Sequence, residues 1–372
     1  MIKNNILGII FANVHDQLVP ELTKKRSMAS IPFGSRYRLI DFSLSNLVNA
    51  GISKVGIITK SNYNSLLDHL GSGISWDLDR KNGGLFILPP FSTSKAGIFK
   101  GHVDALAGIM TFLKRSHEEY VVMCDADVVS NMDIDMLINK HITSDADVTI
   151  AYKHGLLADE NRNTMELKIG GDGFVENIVL ADKQPGEIDY SLDVFVIKRE
   201  KLIELISNAS KNSLTSLSKE VLIPNLHQLK ILAVKIDTFA EVVYNTKSYA
   251  KISMSLLNKE ARENLFNPER PVYTKTRDDM PSRYGLKSDV TNSLIGSGSI
   301  IDGSVKNSIL FRSVTVGKGA KIENCIIMQG TKIGENCVLK NVIIDKSATI
   351  SDGVTLMGGA DNYVFVDKGK TI

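Results

Sequence analysis

From Ser288 onward, apolar residues return every five or six positions, and several are followed by glycine: Ile295-Gly296, Ile300, Val305, Leu310, Val316-Gly317, Ile322, Ile327, Ile333-Gly334, Val338, Ile344 and Ile350. An amphipathic helix needs a spacing of ~3.6 residues and a half-buried strand one of ~2, so the stretch is neither. The period suits hexapeptide repeats wound into a left-handed parallel β-helix. Each apolar residue then points into a triangular prism, with Gly or Asn at the turns. A sandwich of short strands is the competing architecture, but it gives no reason for so many repeats to stay in phase. The flat faces and open ends of such a prism predict a packing surface for neighbouring subunits.

The preceding two-thirds has a different grammar. Strand-like runs at Ile6 to Phe11, Lys54 to Thr59 and Tyr120 to Cys124 alternate with helical stretches at Leu39 to Ala50, Ser61 to Leu70 and Ala105 to Ser116. Further strands are expected at Asp147 to Tyr152, Thr164 to Ile169, Phe174 to Val179, Leu192 to Ile197 and Ile231 to Ile236, with a helix from Ser248 to Leu257. Alternation of this kind predicts a doubly wound α/β domain with a mainly parallel sheet. The 372 residues exceed what one core usually organises. We therefore expect a Rossmann-like domain over 1–246, a helix and linker over 247–287 containing Asn267-Pro268-Glu269-Arg270-Pro271, and the β-helix over 288–372.

Bulk properties remove several function classes. With 44 basic and 42 acidic residues the net charge is +2, which offers no global grip on nucleic acid or an anionic membrane. Three scattered cysteines make neither a disulfide framework nor a metal motif and suit a reducing cytoplasm. No signal peptide is expected, and no apolar run is long enough to span a bilayer.

Ligands of such sheets gather beyond the carboxyl ends of the strands, so the loops after Phe11 and Cys124 should meet at one crevice. The first loop holds Asn13, Val14, His15 and Asp16 where a phosphate cradle wants glycines and a cation. Asp127, two residues beyond Asp125, is placed to hold Mg²⁺, and Glu241 is a candidate second carboxylate. In Lys100-Gly101-His102, the lysine suits a phosphate and the glycine suits close approach of a ligand, while Asp104 reads as a helix cap. Lys24, Lys25, Arg26, Arg36 and Arg38 flank a Pro32-Phe33-Gly34 turn that would let them converge on a phosphorylated metabolite. No His/Cys metal cluster and no Ser-His-Asp arrangement is expected.

The motifs KKRSMASIPFGSRYRLIDFSLSNLVNAGI, FKGHVDAL, YVVMCDADV, FVEN and FAEVVY, in this order and followed by a β-helix, resemble bacterial ADP-glucose pyrophosphorylase, or glucose-1-phosphate adenylyltransferase. The resemblance covers essentially the whole chain. It implies joining of ATP and glucose 1-phosphate to give ADP-glucose and pyrophosphate for glycogen synthesis, with Mg²⁺ and allosteric control by sugar phosphates. The family loop G-G-x-G-x-R-L falls on Asn13 to Val19, so its glycines are replaced and its arginine is Leu18. A lysine of the R-A-K-P-A-V pattern is Met28. In the sugar-phosphate motif F-V-E-K-P, Glu176 remains but the lysine is Asn177; Lys100 and Gly101 complete that remnant. Asp127 and Glu241 are what is left of the metal-binding carboxylates, with Val243 and Tyr244 where the family has Gly and Thr.

Lys25, Arg26 and Arg38, by contrast, fall on positions that the family uses for its activator, with Pro32 at another effector contact. Together the departures resemble the GlgD-type regulatory subunit of Gram-positive bacteria. That implies a catalytically impaired cytoplasmic chain that modulates a catalytic GlgC-type subunit in a hetero-oligomer, a tetramer in this family. A weakly active adenylyltransferase and a non-catalytic sugar-phosphate sensor are the alternatives.

Overall fold

The computed structural model describes residues 5–90, 99–156, 164–180, 186–359 and 362–372. Strands β1 (Ile6–Phe11), β2 (Lys54–Ile58), β3 (Gly84–Leu88) and β4 (Tyr120–Asp125) run parallel in the spatial order β3-β2-β1-β4. Helices α1 (Leu39–Asn49), α2 (Asn64–Leu70), α3 (His102–Gly108) and α4 (Met110–Arg115) connect them. The run Ile6 to Phe11 is continuously apolar because both faces of β1 are covered. Ile6 and Ile10 pack with Leu44 and Leu47 of α1, whereas Leu7, Ile9 and Phe11 pack with Val103 and Leu106 of α3. The helix expected over Ala105 to Ser116 begins earlier and breaks at Ile109 into α3 and α4.

Beyond β4 the sheet changes direction. Strands β5 (Val148–Leu156), β6 (Met165–Ile169), β7 (Val175–Leu180) and β8 (Glu187–Lys198) follow one another without an intervening helix among the described residues. β8 is antiparallel to β4 and β5, β6 pairs antiparallel with β7, and β9 (Ile231–Lys235) returns parallel to β5. Strands joined by short connections pair antiparallel, so the parallel character belongs to the half that forms the crevice. Elements that the sequence reading did not place include β3, α5 (Ile134–Thr143), α6 (Arg199–Lys211) and a helix over Lys259–Leu265. Helix α7 (Thr246–Ser255) is capped by Asn245, whose side chain accepts the Ser248 N–H at 2.6 Å.

Residues 283–366 form three parallel sheets of five short strands each, the faces of a prism. Its core contains Val305, Leu310, Val316, Ile322, Ile327, Ile333, Ile344 and Ile350, as the period predicted. At two rungs the inward residue is one position further on, Ile301 rather than Ile300 and Leu339 rather than Val338. Both neighbours are apolar there, so the sequence does not fix which one faces in. Asn292, Asn307, Asn324 and Asn341 occupy left-handed corners with φ of +44°, +45°, +51° and +52°. Asparagine tolerates that region best after glycine.

The prism's third sheet is apolar on both sides. Alternating with inward Leu310, Ile327 and Ile344, the outward Ile309, Ile326 and Ile343 are fully buried against Phe33, Phe42, Tyr249 and Leu256. One face expected to await a neighbouring subunit is thus covered by the chain's own first domain. The sheet that contains Asp289–Thr291 carries a polar ladder instead, Lys306 with Asp289 and Lys340 with Glu323.

Candidate functional sites

The loops after β1 and β4 meet at the crevice. Asn13 donates to the Ser61 carbonyl at 2.8 Å and to Asp16 at 3.2 Å, and its Oδ1 accepts the Lys60 N–H at 2.8 Å. Asp16 Oδ1 accepts the Met28 N–H at 2.7 Å. Burial lifts the Asp16 carboxyl to about 6, with the Met28 N–H and the Asn13 amide pulling against it. A phosphate cradle presents free backbone N–H groups to its ligand; here side chains of the loop take up the Lys60 and Met28 donors. Met28, 1% exposed, is part of the apolar cluster beneath the prism, and the partly buried Leu18 packs against it.

His15 and His102 converge on Asp125 in the same crevice. His15 Nε2 lies 2.7 Å from Asp125 Oδ2, and His102 Nε2 lies 3.0 and 3.1 Å from the two carboxylate oxygens. Burial would raise the Asp125 pKa, but the two imidazoles, His102 foremost, hold it far below the usual carboxylate range. Sequence reading expected no histidine cluster. The residues are 110 and 23 positions from Asp125, so no local spacing marks them.

Lys100 is exposed, and its N–H donates to Asp104 at 3.2 Å. Asp104 therefore sits in the first turn of α3, not at the cap, which is Gly101. What approaches Gly101 is the chain itself: a Cβ there would stand 2.4 Å from the Thr215 carbonyl oxygen. Asp127 is buried, and its carbonyl accepts the Val243 N–H at 2.9 Å. Glu241 lies on the neighbouring strand of the ribbon Val128–Ser130 with Ala240–Val242. Its carboxylate meets Lys153 Nζ at 2.6 Å. Asp127 and Glu241 are the carboxylates that would hold Mg²⁺ beside the phosphates of a nucleotide, and in this structure Glu241 is engaged by Lys153 instead. Beside Glu241 a cleft of about 330 Å³ is lined by Lys153, Tyr190, Tyr244 and Lys251. Glu176 and Asn177 are exposed on β7, and Asn177 Oδ1 accepts the Ile178 N–H at 2.9 Å.

The basic residues gather elsewhere, between the first domain and the prism. The hairpin Pro32–Phe33 with Tyr37–Arg38 turns through Gly34 and Ser35 at φ of +55° and +67°. Arg36 and Arg38 then line a small pocket with Lys275, Arg277, Arg312 and Lys346. Four of these six cations come from the linker and the prism and were not foreseen. Arg38 is held by Ser65, with its Nη1 donating to the carbonyl and to the hydroxyl at 3.0 Å. Arg312 is 3.4 Å from Asp279. Burial, reinforced by Arg38 and Arg26, pushes Lys346 down to about 6. Arg26 is itself 1% exposed, and its Nη2 reaches both oxygens of Asp345 at 2.6 and 2.8 Å. Lys25 Nζ donates to the Lys368 carbonyl at 3.3 Å.

Fold and crevice define the class: a nucleotidyltransferase domain joined to a hexapeptide β-helix, with residues 16–162 matching the nucleotidyl transferase family and residues 279–363 the GlmU-like C-terminal hexapeptide family. The chain is 36% identical over 328 residues to glycogen biosynthesis protein GlgD of Geobacillus stearothermophilus, covering 86% of this chain and 83% of that one. It is 34% identical to GlgD of Bacillus subtilis, covering 87% and 84% of the two chains. Glucose-1-phosphate adenylyltransferase of Thermosipho africanus is 32% identical, with 86% and 78% covered. The chain belongs to the family that unites GlgD proteins with glucose-1-phosphate adenylyltransferases. No helix among the described residues is long and apolar enough to cross a membrane.

Proposed function

We propose that this chain is a catalytically impaired, regulatory subunit of glucose-1-phosphate adenylyltransferase in glycogen biosynthesis, acting in the cytoplasm on a catalytic GlgC-type partner. The observation that carries the reading is the loop Asn13 to Leu18, in which Asn13 and Asp16 are bonded within the protein. Transfer to the α-phosphorus of ATP depends on positioning and on neutralising charge. Asp16 adds negative charge where a triphosphate would lie, while Met28 belongs to the apolar core and Leu18 packs against it. Glu241 held by Lys153 supports the same reading.

In this reading the control function belongs to the pocket formed by Arg36, Arg38, Lys275, Arg277, Arg312 and Lys346. Clustered guanidinium and ammonium groups suit a sugar phosphate, and a ligand there would touch both the first domain and the prism. The test is an ADP-glucose synthesis assay of the chain alone, of the catalytic subunit alone, and of the two mixed, with and without sugar phosphates. The expected result is negligible activity alone and an altered sugar-phosphate response in the mixture. Turnover alone comparable to that of the catalytic subunit would overturn the reading.

A further inference from the structure

We propose that His15, His102 and Asp125 form a binding site for a divalent transition-metal ion of the zinc type, built into the crevice where the family's phosphate loop lies. The donor atoms of the three residues lie within 4.8 Å of one another. Each Nε2 is already 2.7 to 3.1 Å from the Asp125 carboxylate. Tetrahedral zinc with bonds of ~2.0–2.1 Å spaces its ligand atoms by roughly 3.3 Å, so small side-chain shifts admit the ion. Two imidazoles and one carboxylate suit zinc, cobalt or nickel, whereas Mg²⁺ and Ca²⁺ prefer oxygen donors alone.

The three ligands come from a strand end, a helix start and a loop tied down by hydrogen bonds. Asp125 ends β4 in register with Phe11, the last residue of β1. His102 opens α3, and its ring stands edge-on to Phe11 with centroids 4.6 Å apart. His15 belongs to the loop fastened by Asn13 and Asp16. Accessibility is graded as a metal needs it: the Asp125 side chain is 2% exposed, those of His15 and His102 21% and 17%. Three protein ligands leave a fourth position facing the crevice, open to water or to an oxygen of an anionic ligand. Neither Asp127 nor Glu241 is among the donors, so this site is distinct from any that those two carboxylates would form. It stands whether or not the chain is a regulatory subunit.

The experiment uses the full chain stripped with a chelator and dialysed, then titrated with Zn²⁺ by calorimetry and with Co²⁺ by visible absorption. One ion per chain is expected, with Co²⁺ giving the ligand-field bands of a low-coordinate site, and excess Mg²⁺ leaving Zn²⁺ uptake unchanged. His15→Gln, His102→Gln and Asp125→Asn should each weaken Zn²⁺ binding about 100-fold, because each removes a ligand. His154→Gln, which changes a half-exposed imidazole near Asp189, should bind as the parent does. Circular dichroism checks folding of every variant; if Asp125→Asn does not fold, the two histidine variants carry the test. Absence of stoichiometric uptake by the parent overturns the proposal, as does less than a tenfold loss in the folded histidine variants.

Discussion

The crevice beyond β1 and β4 and the pocket beneath the prism are both lined with ionisable side chains, but their charges are balanced in opposite ways. In the crevice Asp125 is answered by His15 and His102, and Asp16 by Asn13 and the Met28 N–H. Beneath the prism, Arg36, Arg38, Lys275, Arg277, Arg312 and Lys346 crowd together, with Asp279 answering Arg312 and Asp41 near Arg38. The second place holds basic groups in excess of the acids beside them, and the repulsion that remains is what an anion would relieve. Charged lining alone does not mark a ligand site; charge left unbalanced by its own surroundings does.

The largest expected effect falls where the pocket behaves like the crevice, at the buried pair Arg26 and Asp345. Arg26→Met should cost about 3–5 kcal/mol by leaving the buried Asp345 without its guanidinium partner, measured as a fall in denaturation midpoint. Adding Asp345→Leu should recover most of it, and a double variant as unstable as the single would show the pair to be more than balanced charge. Next, Lys275→Ala with Arg277→Ala should weaken sugar-phosphate binding at least tenfold, or ~1.4 kcal/mol, while the mixed complex elutes unchanged in size. Undiminished binding would separate the pocket from any control role.

The third expectation concerns pH. A bound anion favours protonated Lys346, so binding takes up a proton wherever the free side chain, at about 6, is neutral. Affinity should therefore fall several-fold (roughly, by the same linkage) between pH 6 and pH 8. Lys346→Met should remove that part of the slope in a calorimetric titration, and an identical slope would place the titration elsewhere. Fourth, Leu18→Arg with Asn177→Lys should raise ADP-glucose synthesis less than about tenfold, because the cations return but Asp16 still ties the loop. A larger gain would show that the loop opens readily. The smallest effect is expected of Asp16→Asn. The Asp16 carboxyl is raised from 3.8 to about 6, so the folded state binds more protons between these values and stability falls as pH rises through them. The variant should flatten that slope, seen as melting temperatures at pH 4 and pH 6 that differ less than the parent's.

How much the sequence disclosed depended on whether the signal was local. Leu310, Ile327 and Ile344 are 17 residues apart and lie on one inner edge of the prism, so the periodicity could be read directly. The pairs Ile300 with Ile301 and Val338 with Leu339 could not be ordered, since both members are apolar. The direction of β8 was hidden because its hydrophobic pattern is the same whether its neighbours run parallel or not. At the site, an apolar Met28 beside the basic run Lys24 to Arg26 was legible, but its burial under the prism was not. Lys346 reaches the pocket from the last coils and Arg277 from the linker, and His15 meets His102 across the crevice. Only folding brings such residues together.

The doubly apolar third face of the prism also governs how the chain can be divided. Ile309, Ile326 and Ile343 form part of the same cluster as Val19, Phe33 and Phe42. Severing the chain within 271–282 would uncover a contiguous greasy surface on both products, of the kind that drives aggregation when exposed. The halves are expected to melt in one cooperative transition and to resist expression as separate fragments. Proteolytic nicking of that segment should leave the two pieces associated until the whole molecule unfolds.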